Sequence, residues 1–220
     1  KLKARGAKIV AINPVRTGYA AIADEWIASR PGTDGLLAGA LIHEILRTDR
    51  IDLEFLVRYT NAHWLVVDAP GTAGDGLVAR DAEGHPLCAT RDGGIVRADG
   101  VGISPRVVGA ATLADGQRAV PAFERLAARY LAPEYAPHTV AERCGVDAET
   151  IRRLARELAR TAFDEEIRLP IPWTDAWGRV HAETVGRPVA MHAMRGISAH
   201  SNGFQTCRAL HVLQLLLGAV

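Results

Sequence analysis

Two short segments carry groups suited to holding an anion. The first is Asn13-Pro14-Val15-Arg16-Thr17, followed some fifteen residues on by Gly32-Thr33-Asp34. Asn13 and Asp34 can read a ribose or a base edge, and Arg16 can meet a phosphate. The second is Arg195-Gly196-Ile197-Ser198-Ala199-His200-Ser201-Asn202-Gly203, which sets a cation and a histidine among glycines and small polar residues. Both follow an apolar run and lead into an apolar helix. In open α/β sheets ligands bind outside the carboxyl ends of strands, where backbone N–H groups and helix N-termini meet phosphates. Each segment alone is a weak signal. The plainer alternative is that Thr33 and Asp34 only start a helix and that His200 is a loop residue.

Other chemistries lack their sequence marks. There is no GxGxxG or Walker loop, so ordinary nicotinamide binding and P-loop hydrolysis lose their fingerprints. GxSxG is absent, and the histidines form no HExxH or HxH set. His43 and His211 fall in apolar helices and read as core or boundary residues, and Met191 and Met194 as strand packing. Residues 139–160 have the length and central glycine, Gly145, of a helix-turn-helix; Glu149, Thr150, Arg152 and Arg153 would then face DNA. A packed helical hairpin explains the same pattern. A DNA-binding regulator with an α/β sensor domain stands as the alternative function.

The elements that must position these segments are legible from periodicity. Residues 8–13 form a short apolar run ended by Pro14, as a buried parallel strand does, and Glu25-Trp26-Ile27-Ala28 is a second strand candidate. A helix with Thr33 as its N-cap runs from Asp34 to about Thr48, and another from 52 to 59. Glycines divide residues 70–102 into hairpin-sized pieces such as 76–80 and 86–89, which read as an inserted lobe. Helices return at 120–131. A capping box at Thr139-Val140-Ala141-Glu142 and a cap at Asp147 mark two more, the second reaching Arg160. After Pro170, Pro172, Trp173 and Trp177, residues 188–194 read as another strand, and Gly203 opens a helix to Leu217. The fold expected is α/β, a Rossmann-like parallel sheet with flanking helices interrupted by a Gly-rich β insertion. Three segments follow: 1–66, a cofactor-binding α/β part; 67–119, the inserted lobe; and 120–220, the helical hairpin and the second half of the α/β domain.

Composition sets the outer limits. The chain has 220 residues, 48% of them apolar, and 26 basic against 25 acidic residues. Such a balance offers no electrostatic case for wrapping nucleic acid or lying on an anionic membrane. No apolar run approaches the ~18 residues of a membrane span. Cys88, Cys144 and Cys207 lie far apart with no CxxC spacing, so neither a disulfide framework nor a metal site is readable from them. That pattern fits a reducing compartment, and a cytoplasmic location is expected. The abrupt apolar ends suggest a piece of something longer.

Taken together, the segments resemble the catalytic subunits of the DMSO reductase family of molybdopterin oxidoreductases. The resemblance rests on Asn13-Pro14-Val15-Arg16-Thr17, Ala23-Asp24-Glu25-Trp26, Arg30-Pro31-Gly32-Thr33-Asp34, the helix at 52–60, the helical pair at 136–159, and Arg195-Gly196 through His200-Ser201-Asn202-Gly203. It leaves out the Gly-rich lobe and the Trp-rich stretch near 173. It implies molybdenum bis(molybdopterin guanine dinucleotide) as cofactor, held by Asn13, Pro14, Val15, Arg16, Thr17, Gly32, Thr33, Asp34, Gly196 and Ala199. Arg195 and His200 are implied near the substrate, where a cation would attract an oxyanion. Arg195 stands where the nitrate reductase pattern has Met, and Ala199 where it has Gln, which puts nitrate in doubt. The segment looks nearer the branch acting on sulfur oxyanions such as sulfite, thiosulfate or polysulfide, with formate dehydrogenases nearby. The resemblance further implies an iron–sulfur cluster in a part preceding these residues and a metal-ligating residue outside them. The partners it implies are an iron–sulfur electron-transfer subunit together with a membrane anchor, and no nucleic acid.

Overall fold

A computed structural model describes residues 2–175 and 178–219; Lys1, Ala176, Val220 and the Trp177 of the Trp-rich stretch lie outside the described residues. The chain divides into two compact units, Lys1–Ile51 with Leu131–Val220, and Asp52–Tyr130. No described helix is long and apolar enough to cross a membrane.

The first unit opens with β1 (Val10–Ile12) and β2 (Glu25–Ile27), paired in parallel with Val10 opposite Glu25 and Ile12 opposite Ile27. Asp24 ties the entrance of the pair, its carboxylate accepting from the Ile9 N–H at 2.8 Å. Helix α1 (Asp34–Arg47) is the centre of the unit. Its apolar residues Leu37, Ala40, Leu41, Ile42 and Ile45 are buried, and Gly39 leaves room for the Tyr135 ring, since a Cβ there would lie 2.5 Å from Tyr135 Cδ1. A helix buried on nearly every side needs neighbours on every side. In this unit they are α4, α5 and α6, described below.

The second unit begins with α2 (Leu53–Tyr59), capped by Asp52, whose carboxylate accepts from the Phe55 N–H at 2.9 Å. Strand β3 (Leu65–Val67) follows, then the antiparallel hairpin β4 (Leu87–Ala89) and β5 (Ile95–Arg97), the short β6 (Ala111–Thr112), and β7 (Arg118–Pro121). β7 lies between β3 and β6, antiparallel to both. Leu65, Ala79, Ala89 and Ala119 form its small core. Residues 76–80 contribute isolated bridges rather than a strand, Val78 to Val66 and Arg80 to Pro86. Helix α3 (Ala122–Tyr130) closes the unit and starts two residues after Val120, which belongs to β7.

Back in the first unit come α4 (Pro137–Cys144) and α5 (Ala148–Asp164). α4 starts at Pro137, the position where a missing N–H costs nothing, so Thr139 lies inside the helix and no capping box forms. Gly145 ends it with φ +76°. Asp147 caps α5 by accepting from the Thr150 N–H at 2.8 Å, and Ile151, Leu154, Ala155, Ala159 and Ala162 make its buried stripe. The side chains that a DNA reader would extend are engaged locally: Arg153 bonds Glu25 and Glu157, Arg152 faces Glu149, and the Thr150 hydroxyl donates to Asp147.

The Trp-rich stretch forms a ribbon that periodicity did not reveal. β8 (Ile167–Leu169) pairs with β11 (Thr184–Gly186), and inside them β9 (Trp173–Thr174) pairs with β10 (Val180–His181), both antiparallel. The expected strand at 188–194 is absent. Pro188 lacks a donor, no neighbouring strand offers a ladder, and from 190 onward the segment is mostly exposed. The expected parallel sheet is therefore two-stranded among the described residues, within a mixed α and β structure. Met194 is exposed rather than packed, with its Sδ 3.2 Å from His192 Nε2. Helix α6 (Gly203–Leu216) ends the chain, burying Ala209, Leu213 and Leu216 against α1 and leaving His211 exposed.

Candidate functional site

The parallel register of β1 and β2 brings the first two predicted segments to one edge. Asn13 N–H donates to the Ile27 carbonyl at 3.1 Å, so residues 13–17 and 28–34 leave from the same carboxyl end of the pair. The Asn13 side chain braces its own loop. Its Oδ1 accepts from the Val15 N–H at 2.9 Å, its Nδ2 donates to the Tyr19 hydroxyl at 3.1 Å, and its carbonyl accepts from the Trp26 indole at 2.8 Å. Pro14, Val15, Arg16 and Thr17 are exposed, with the Arg16 guanidinium 5.9 Å above the Trp26 ring.

The second half of this edge is pinned from below. Arg30 donates twice to the end of α4: its backbone N–H reaches the Cys144 carbonyl at 2.8 Å and its guanidinium the Glu142 carbonyl at 2.8 Å. A cation on the carbonyl end of α4 satisfies groups the helix cannot satisfy itself. The helical hairpin is thus the support on which residues 30–34 rest. Gly32 has φ +77°, where any side chain would be strained. Thr33 stands at the start of α1 without capping it, because its hydroxyl donates back to the Arg30 carbonyl at 2.6 Å. The Asp34 carboxylate is half-buried and takes no hydrogen bond or ion pair among the described residues.

Residues 195–203 reach the same place by another route. A 3₁₀ turn, Arg195–Ser198, leads into α6, whose leading residue Asn202 also provides no side-chain cap. A Cβ on Gly203 would lie 2.1 Å from the Ser198 carbonyl, so only glycine lets the turn fold back on the helix start. A Cβ on Gly35 would lie 2.7 Å from Thr206 Oγ1. The first turns of α1 and α6 are therefore in contact, both without a side-chain cap. Arg195, Gly196, Ala199 and His200 lie exposed on the approach to the second of them.

Three residues that the sequence pattern did not single out shape this end of the unit. Ser29 is 3% exposed, just past β2, and its Oγ has no hydrogen-bond partner. Gly35 and Thr206 set the contact between the helices. A glycine immediately after a helix-starting Asp is the one available signal for Gly35; nothing local marks Ser29 or Thr206. Two other charges belong to the support rather than the rim. Arg153, with Lys8, holds the Glu25 carboxyl below its ordinary range, and Lys3 does the same for Asp24.

Uncapped helix starts, a backbone kept free of side chains at Gly32 and Gly35, and a buried hydroxyl without a partner make a set that fits an extended anionic ligand. Such strand-end anion sites on an α/β unit are where nucleotide-containing cofactors are held. The chain belongs to the DMSO reductase family of molybdopterin oxidoreductases. It is 46% identical, over its whole length, to a sulfite dehydrogenase subunit of Allochromatium vinosum, and spans 24% of that protein. It is 34% identical over 71% of its length to a protein of Halobacterium salinarum named as a dimethyl sulfoxide reductase catalytic subunit, spanning 19% of it. To the major subunit of formate dehydrogenase-O of Escherichia coli it is 25% identical over 97% of its length, spanning 18%. Among solved structures, the acetylene hydratase of Pelobacter acetylenicus superposes on 99% of this chain and 18% of its own with a TM-score of 0.54 at 20% identity, a likeness of fold. No family model matches the chain. The chain thus spans at most about a quarter of the curated relatives it matches.

Proposed function

We propose that this chain is the part of a molybdenum oxidoreductase catalytic subunit that grips one guanosine diphosphate arm of a bis(molybdopterin guanine dinucleotide). The observation that carries the reading is the meeting of two uncapped helix starts at Gly35 and Thr206. Their N–H groups offer donors to phosphate oxygens without the penalty of bringing a charge. Asp34 would accept the paired donors of a guanine edge, and the Asn13 to Thr17 loop, kept rigid by Asn13, would close over the sugar and phosphate. The buried Ser29 hydroxyl supports the reading as a polar group still lacking a partner. In this reading β1 and β2 are two strands of a larger Rossmann-like sheet.

The cofactor, when bound, supplies two-electron exchange with the substrate. The chain's own share is to bind, orient and attract. Arg195 and His200 are assigned to the substrate side, where a fixed cation draws in an oxyanion. Similarity to a sulfite dehydrogenase over the whole of this chain favours a sulfur oxyanion, with sulfite as the first substrate to assay and formate as the second. An iron–sulfur subunit would receive the electrons, on the cytoplasmic side.

The test uses the full-length protein that carries this sequence. Molybdenum and guanosine are measured in the purified protein and in its Asp34→Ala variant. The reading expects both contents to fall together in the variant. Equal metal and guanosine in the two proteins would overturn the site assignment, and an absence of both in the unaltered protein would overturn the function.

A further inference from the structure

The ribbon from β8 to β11 is built for contact and has none within this chain. Six apolar residues in it, Ile167, Leu169, Ile171, Trp173, Val180 and Val185, are exposed, Val180 to 78% and Ile171 to 55%. They occupy both faces, because Leu169 is opposite Thr184 whereas Val185 is opposite Arg168, and neighbours along a strand point to opposite sides. A free two-stranded ribbon is at best marginally stable in water. This one is nonetheless ordered internally. The Asp175 side chain is 1% exposed; its carboxylate accepts from the Arg179 N–H at 2.9 Å and sits 3.2 Å from His181 Nε2. His181 stacks on Trp173 at 4.6 Å, the Trp173 indole donates to the Glu183 carbonyl at 3.1 Å, and the Thr184 hydroxyl donates to the Ile171 carbonyl at 2.9 Å.

With its polar groups satisfied inside the ribbon, the outer surface has mainly apolar area left to offer. Covering it costs little desolvation, and a fixed tryptophan is the side chain that most often anchors such a contact. The similarity to the sulfite dehydrogenase relative runs through the ribbon and covers this whole chain, yet accounts for 24% of that protein. A polypeptide of that length has about three quarters of its residues elsewhere.

We infer that the ribbon is a clasp, seated by Trp173, Ile171 and Val180 in an apolar groove on the remainder of the same catalytic subunit. The inference rests on the proposed place of this chain in such a subunit. Its occupant is neither a second copy nor the electron-transfer subunit.

Hydrogen–deuterium exchange of the full-length catalytic subunit, purified without its partner subunits and kept monomeric, tests this. Amides in residues 167–186 should exchange at least ~100-fold more slowly than unstructured reference rates, whereas an undocked ribbon would stay within roughly tenfold of them. Trp173→Ala should release the ribbon while the amides of α1 and α5 keep their protection. If that variant does not fold, Val180→Ser and the unaltered protein still decide the matter. Exchange at reference rates in the isolated subunit would overturn the inference, as would protection that appears only with a partner subunit or only at concentrations where the protein dimerises. A metal-free protein with a protected ribbon would refute the functional reading and leave the clasp standing.

Discussion

Gly35 in the first turn of α1 and Thr206 in the first turn of α6 stand so close that a Cβ on the glycine would lie 2.7 Å from the threonine hydroxyl and 3.5 Å from its Cα. The contact fixes the two helix starts side by side, and it can be broken by one methyl group. Gly35→Ala should cost roughly 1–3 kcal/mol, the usual range for overpacking a tight contact. The threonine also donates to the Asn202 carbonyl at 3.2 Å, so Thr206→Ala alone should destabilise modestly. Combined, the two substitutions should cost less than their sum, because removing Oγ1 makes room for the methyl. Denaturant unfolding of the four proteins measures the coupling; strict additivity would mean that the helices adjust independently.

Arg30 predicts a second coupling. Its guanidinium serves the carbonyl end of α4, and its Cγ lies 3.2 Å from where a Cβ on Gly145 would stand. Arg30→Met should cost about 1–2 kcal/mol, since it leaves helix carbonyls without their charged partner. Gly145→Ala should cost at least as much, because φ +76° strains any L side chain there. Thermal unfolding compares them, and the expected sign of a control is clear: Arg143→Met, on the exposed side of α4, should change little.

The pH dependence follows from Glu25. Arg153 and then Lys8 hold its carboxyl below the ordinary glutamate range, against the opposing effect of burial. A depressed folded-state value means that the unfolded chain binds the proton first as pH falls. The stabilisation is therefore complete above the unfolded value of about 4.3 and is lost as pH drops through the lower folded value. Glu25→Gln should lower stability by about 1 kcal/mol at pH 7, a modest figure suited to a partly exposed pair. The melting temperatures of the two proteins should converge below about pH 3, where Glu25 is neutral in both states. A gap that stays constant with pH would assign the effect to packing instead.

How much of this was legible beforehand differs by element, for physical reasons. β1, β2, α1, α5 and α6 announce themselves because local periodicity and caps agree with the final packing. Asp147 is a cap by sequence and by geometry. Thr33 has the right type and place, yet its hydroxyl turns back to the Arg30 carbonyl, a choice between two nearby partners that sequence cannot rank. Residues 188–194 have strand-like composition, but a strand is a pairing, and no partner stands beside them. The ribbon hid for the converse reason: Pro170 and Pro172 read as loop, while its pairing joins residues about fifteen apart. At the site, both loops could be named from residue types. Their convergence could not, because it depends on Gly35 meeting Thr206 from far along the chain.

The last prediction concerns Arg195 and His200, which reach the rim of the site without ion pairs among the described residues. In the full-length enzyme, Arg195→Gln should lower kcat/KM for an oxyanion substrate by about 10²–10³, the range for losing a preorganised charge. Molybdenum and guanosine content should stay as in the unaltered enzyme, because the phosphates are assigned to the helix starts and the guanine to Asp34. Arg195→Lys should recover part of the loss, since it keeps the charge but not the planar fork. The split between KM and kcat then tells attraction from chemistry: a loss confined to KM marks binding alone, and a loss in kcat marks charge stabilised as the reaction proceeds. A variant that loses its metal along with its activity would move Arg195 from the substrate side to the cofactor side of the same cleft.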